Sequence, residues 1–123
     1  MAQKYTLVPL AQGPFIGIDP LARMAFGLIW DRYKVSSYNF IGAESESPWY
    51  DKTMDDVFCV YDQDELAREI GCSVRTVRRC LKDLNEAHLL YWRKATYKGA
   101  CRYFVGYAAK AWLRRSTQDP AQA

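Results

Sequence analysis

The chain has 123 residues, half of them apolar or aromatic and a quarter charged. That is enough for one hydrophobic core and too apolar for a disordered polymer. No apolar run approaches the length of a membrane span, and the opening MAQKYTLVPL lacks the pattern of a signal peptide, so the expected location is the cytoplasm. Formal net charge is only +3, yet from Glu65 to Arg115 twelve Lys/Arg stand against four Asp/Glu, leaving five against ten elsewhere. The C-terminal half carries a polyanion-binding field and the N-terminal half does not.

In chain order, YTLVPL alternates weakly and contains a proline, which suits an edge strand or an arm lying on the core. A contact between two copies is a further reading of the same arm, and the sequence does not choose. After the glycine- and proline-rich AQGPFIGI, Asp19-Pro20 marks a helix start: a capping residue, then proline at the first helical position. Leu21, Met24, Ala25, Leu28, Ile29 and Tyr33 recur at helical spacing, which predicts one amphipathic helix over residues 20 to 34. Arg32 and Lys34 then fall in its last turn, where they complement the helix dipole. Residues 35 to 56 read as a long polar connection. Its acids, Glu44, Glu46, Asp51, Asp55 and Asp56, have no metal-loop spacing and are expected to be solvated. VFCVY, residues 57 to 61, reads as a short strand.

Residues 62 to 87, DQDELAREIGCSVRTVRRCLKDLNEA, organise the rest. Asp62 and Glu65 make a capping-box pattern. Leu66, Ala67 and Ile70 form an apolar face, and Gly71 stands where a left-handed C-cap is wanted. Ser73 can cap a second helix on which Val74, Val77, Leu81 and Leu84 share one face. At 100° per residue Arg75, Arg79 and Lys82 point away from that face, with Thr76 and Asp83 beside them and Arg78 on the flank. This is the layout of a helix-turn-helix whose second helix presents cationic donors. The arginine fork pairs with phosphate oxygens or with the O6/N7 edge of guanine.

LLYWRK, ATYKGA and CRYFVGY then read as strand, turn and return strand, with Arg93, Lys94, Lys98 and Arg102 around the tip and Tyr91, Trp92, Tyr97 and Tyr103 interleaved. A wing of this kind lies along phosphates or enters the minor groove. His88 ends the recognition helix near its negative pole and is assigned no catalytic role. AAKAWLRR, residues 108 to 115, predicts a short closing helix, and STQDPAQA a frayed tail. Cys59, Cys72, Cys80 and Cys101 form no CxxC pair and there is one histidine, which argues against a zinc site. The thiols are expected to be reduced, buried small hydrophobes. The fold class is α+β: a winged helix-turn-helix with a three-helix core, a short strand and a C-terminal β-hairpin wing, spanning residues 1–115, with 116–123 as tail.

From Tyr5 to about Tyr107 the chain resembles the N-terminal domain of the plasmid replication initiator protein A family of Gram-positive bacteria. The residues that carry the resemblance are Pro9 before the loop, the helix end LIWDR (Leu28 to Arg32), and Ser36, Ser37 and Asn39 a few positions on. The stretch VFCVYDQDELAREIGCSVRTVRRCLKDLNEAHLL continues it. The segment ESESPWYDKTMDD and the absence of a glycine-lysine-proline wing depart from the family pattern. Full-length members also carry a C-terminal domain, which leaves this chain as a fragment, a truncated paralogue or a stand-alone relative. The resemblance implies binding to repeated DNA sites at a plasmid origin, often as a dimer.

The expectation is a double-stranded DNA-binding domain without enzymatic activity, cofactor, metal, membrane association or small-molecule substrate. Arg75, Thr76 and Arg79 are the candidates for base or groove contact. Arg78, Lys82 and Ser73 are the candidates for phosphates, and Arg93, Lys94, Lys98 and Arg102 engage the backbone through the wing. A homodimer on repeats fits the same reading. The alternatives are a winged-helix transcriptional regulator, a phage DNA-binding protein, or a protein-interaction module using the basic face and the wing aromatics. No nucleophile-base pair or phosphate-cradling glycine loop supports an enzyme.

Overall fold

Asp19 caps the longest helix, α1 (Pro20–Phe40), by accepting the Ala22 amide at 2.9 Å, with Pro20 in the first helical position. The computed structural model of the chain describes residues 5–40, 50–94 and 101–118, the side chains of 37–40, 94 and 116–118 excepted. α1 runs past its expected end at residue 34. The reason is visible in its buried stripe, Ala22, Ala25, Phe26, Ile29, Tyr33 and then Ser36. Ser36 continues the helical spacing but is polar, so in the sequence the apolar stripe stops a turn early.

Two short strands follow, β1 (Tyr50–Asp51) and β2 (Asp56–Val57), then β3 (Cys59–Tyr61). The helix-turn-helix is α2 (Gln63–Ile70) and α3 (Val74–Glu86). The wing is β4 (Leu90–Lys94) and β5 (Cys101–Val105), and α4 (Tyr107–Gln118) closes the order. α4 extends beyond the expected end at residue 115. The expected wing turn, residues 95–100, lies outside the described residues, as does the part of the expected polar connection over 41–49.

The β1–β2 hairpin corrects the expectation of a solvated connection over 35–56. Its first part is helical, and Tyr50 pairs with Val57 and Asp51 with Asp56 in an antiparallel ladder. The main sheet is antiparallel in the order β3-β5-β4, with Cys59 opposite Tyr103 and Trp92 opposite Tyr103 on its other side. Strand alternation gives it two faces. Cys59, Tyr61, Leu90, Trp92, Tyr103 and Val105 join the helical core. By the same alternation Val60, Tyr91, Arg93, Arg102 and Phe104 take the opposite face.

The core gathers Phe26 and Ile29 of α1, Leu66 of α2, Val77, Cys80, Leu81 and Leu84 of α3, and that sheet face. Phe15 meets Phe26 edge-on at 4.9 Å between ring centroids, a favoured aromatic geometry. The N-terminal segment forms no strand among its described residues. It is an arm across α1, with Thr6 bonded to Asp31 and the Pro9 carbonyl accepting from Arg23 at 3.0 Å. Arg32 stands in mid-helix instead of the last turn. It donates to the Val60 carbonyl at 3.1 Å, lies 3.5 Å over the Tyr61 ring and pairs with Glu65. The adjacent Asp31 and Arg32 thus hold the arm on one side and β3 with α2 on the other. The architecture is the expected α+β winged helix-turn-helix, with a second small hairpin added. Among the described residues no helix is long and apolar enough to cross a membrane.

Candidate nucleic-acid interface

α3 is built by its turn and its cap. Gly71 adopts the left-handed conformation (φ 86°, ψ 35°), and its amide and that of Cys72 both donate to the Ala67 carbonyl, at 2.8 and 3.0 Å. Only glycine takes this conformation without a steric cost from Cβ. Ser73 Oγ then accepts the Thr76 amide at 3.1 Å and lies 3.1 Å from the Thr76 hydroxyl. Both hydroxyls are therefore engaged within the first turn. Asp62 caps α2 through the Asp64 amide at 3.0 Å. Glu65 does not complete the expected capping box; its carboxylate pairs with Arg32 instead, where both partners carry charge.

Val77, Cys80, Leu81 and Leu84 are buried, with Val74 packed against the core, while Arg75, Arg78, Arg79 and Lys82 are exposed. Their partners differ. Arg75 has none among the described residues. Arg78 Nε donates to the Gln63 side chain at 3.2 Å. Lys82 lies 3.9 Å from Glu86, both well exposed, a pair of little energetic weight. Arg79 is tied to Asp19 at 2.7 Å, with Asp83 at 3.5 Å. The bonds to Ala22 and Arg79 hold the Asp19 carboxyl below its ordinary pKa. Arg68, on α2, is exposed and also lacks a partner among the described residues.

The wing arginines are placed differently. Arg93 and Arg102 stand directly opposite each other on β4 and β5, on the sheet face away from the helices. Asp51 lies between them: Oδ2 is 3.3 Å from Arg93 and accepts from Arg102 at 2.9 Å, while Oδ1 accepts the Thr53 and Met54 amides. The Asp51 side chain is only 2% exposed. Burial pushes its pKa up, but the Met54 amide, Arg102, Arg93 and the Thr53 amide outweigh burial and hold it below the ordinary value. The Arg102 guanidinium also rests 4.4 Å over the Phe58 ring. Asp56, likewise expected to be solvated, holds Lys110 of α4 at 2.9 Å. The structure thus brings Arg93 and Arg102 together on Asp51. Lys98 lies outside the described residues, and so does the side chain of Lys94.

All four cysteines are free. Cys59 and Cys80 are buried, and burial pushes the Cys59 thiol up to about 12, so it stays protonated. Cys72 and Cys101 are only partly buried, less than expected. Among the described residues no group of His, Cys, Asp and Glu is placed to hold a metal. His88 takes a left-handed backbone (φ 60°) at the end of α3, and its Nδ1 lies 3.4 Å from the Tyr91 hydroxyl.

The sequence matches no protein-family model and no curated protein. Solved structures do share its fold. A chain described as the N-terminal domain of a DNA-binding protein aligns over 95% of this chain and 88% of its own, with a TM-score of 0.55 and 17% identity. A chain from a Rep–DNA complex aligns over 95% and 89%, with a TM-score of 0.57 and 14% identity. An MDR initiator aligns over 95% and 92%, with a TM-score of 0.54 and 14% identity. The fold is common to all three. The resemblance read from the sequence holds at that level.

Three residues that matter to this surface were not singled out as site residues: Asp19, Asp51 and Gln63. Each acts on an arginine distant in sequence, 60 positions for Asp19 and 51 for the Asp51–Arg102 pair. No local spacing signals such pairings.

Proposed function

We propose that this chain is the DNA-binding domain of a replication initiator and that it binds double-stranded DNA with α3 in the major groove. The observation that carries the reading is the exposed side of α3. Arg75, Arg78, Arg79 and Lys82 stand together on the second helix of a helix-turn-helix, opposite a buried apolar face. Arg75 and Arg79 are assigned to base edges, with Thr76 at the groove wall. Ser73, Arg78 and Lys82 are assigned to phosphates. Arg93 and Arg102 hold the root of the wing through Asp51 and, still partly exposed, are assigned with Lys94 and Lys98 to the phosphate backbone. The role is binding, with no catalytic step.

Solved structures of the same fold are described as a Rep–DNA complex and an initiator, which supports the initiator reading; the finer proposal is repeated sites at a plasmid origin, occupied by a homodimer. Nuclease footprinting on plasmid-origin DNA tests it. Regularly spaced protection over iterated repeats is the expected result. Protection of a single promoter operator would make the protein a transcriptional regulator. No protection, with a stable complex to an acidic protein, would overturn DNA binding altogether.

A further inference from the structure

Among the described residues of α3, Arg79 is the one cation gripped by a carboxylate from another helix. Asp19 does this with a carboxylate that is itself fixed. Its Oδ1 accepts the Ala22 amide at 2.9 Å and its Oδ2 accepts Arg79 Nη1 at 2.7 Å. The cap bond stops the carboxylate from turning, so Oδ2 points in one direction only. A rival is near: Asp83, one turn further along α3, lies 3.5 Å from the same Nη1. That distance is an ion pair beyond good hydrogen-bond length, whereas 2.7 Å is a charge-assisted bond. Asp19 therefore decides between two orientations of the guanidinium. One is held toward the start of α1. The other would be drawn along α3 toward its C-terminus. Both side chains remain partly open to solvent, Arg79 by half. Nη2 donates weakly to Cys80 Sγ at 3.8 Å, and the Nε–H and the second N–H of each terminal nitrogen are left for an outside acceptor.

We propose that Asp19 is a positioning residue for DNA reading: it sets the orientation in which Arg79 meets a base edge, and so the sequence preference at one base pair. This rests on α3 being the groove-binding helix. A long flexible cation that swings between two carboxylates reads charge; one held by a fixed carboxylate presents its fork in a single geometry, which bidentate recognition of a base requires.

Asp19→Asn separates the two roles of the residue. Asparagine is as good an N-cap, so α1 keeps its start while Arg79 loses its charged partner. Asp19→Ser, a capping residue with no charge, serves as the second variant. The experiment selects binding sites from a random-sequence duplex library with the full chain, its Asp19→Asn and Asp19→Ser variants, and Arg79→Ala. Thermal unfolding of each is measured alongside. The expected result is that the wild type enriches a defined site and that Arg79→Ala loses preference at one base pair. The Asp19 variants should lose it at the same base pair, by roughly tenfold. Their affinity for unselected duplex should be equal or higher, since a negative charge beside α3 is gone. A purely structural role would weaken all duplexes alike and lower the unfolding temperature, and that result would overturn the proposal. An Asp19→Asn profile identical to the wild type would overturn it while leaving DNA binding intact. Failure of the wild type to enrich any duplex would overturn the reading of α3 as well.

Discussion

Gly106 lies where the chain leaves the wing for α4, and its amide donates to the Leu89 carbonyl at 2.9 Å. A Cβ at this position would stand 2.1 Å from the His88 carbonyl oxygen, which is backbone and cannot swing aside. His88 is itself held there, in the left-handed conformation, by its amide to Asn85 and by the Leu89 amide to Leu84. Gly106→Ala is therefore expected to lower stability by at least about 2 kcal/mol, read from the denaturant midpoint. Gly71→Ala has open space around its Cβ and meets only the left-handed backbone penalty of about 1 kcal/mol. Equal effects of the two would contradict the close approach. Asp51 is the second residue whose loss should be felt. It separates two arginines that face each other across strands, and like charges so placed destabilise a sheet. Asp51→Ala should cost about 1–2 kcal/mol, reduced from the buried-pair figure because both arginines are partly solvated. The Asp51 carboxyl is held below its ordinary pKa of 3.8. Its contribution is thus complete above that value and is lost as pH falls through the lower folded value. Acid titration of unfolding should show a shallower loss below pH 3.8 in Asp51→Ala than in the wild type.

At the scale of elements, the helix-turn-helix was legible because its signals are local. The Asp62 cap, the Gly71 turn, the Ser73 cap and the buried positions Val77, Leu81 and Leu84 all lie within a few residues of the bonds they make. The wing strands were legible for the same reason, through alternation. Where partners are distant, local reading failed. Glu65 looked like half of a capping box until Arg32 arrived from α1. The acidic residues after α1 looked solvated until β1 and β2 brought Asp51 and Asp56 against the wing and α4. The extent of α1 was missed because Ser36 is a polar residue in a buried position. In the candidate site the exposed side of α3 was read correctly from its periodicity, but the partners of its arginines were not.

For the whole molecule, the division into a basic and an acidic half changes meaning once the chain is folded. The acidic half does not stay apart: Asp51 takes Arg93 and Arg102, Asp56 takes Lys110, and Asp19 takes Arg79. Four cations of the basic half are thereby paired, three of them still partly exposed. Arg68, Arg75, Arg78 and Lys82 of the helix-turn-helix have no close carboxylate among the described residues, the 3.9 Å contact of Lys82 with Glu86 being weak. The helix-turn-helix thus offers a polyanion one face of exposed cations. The account stands or falls on whether that face binds duplex DNA. The direct measurement is a fluorescence-anisotropy titration of random-sequence duplex at low and moderate salt, with the wild type, Lys82→Ala and Arg75→Ala, the last repeated on the selected site. The account predicts steeply salt-dependent binding by the wild type and a slope shallower by about one for Lys82→Ala. It predicts a loss of about 1–3 kcal/mol on the selected site for Arg75→Ala. No binding by the wild type at low salt, or variants that bind as the wild type does, would contradict it.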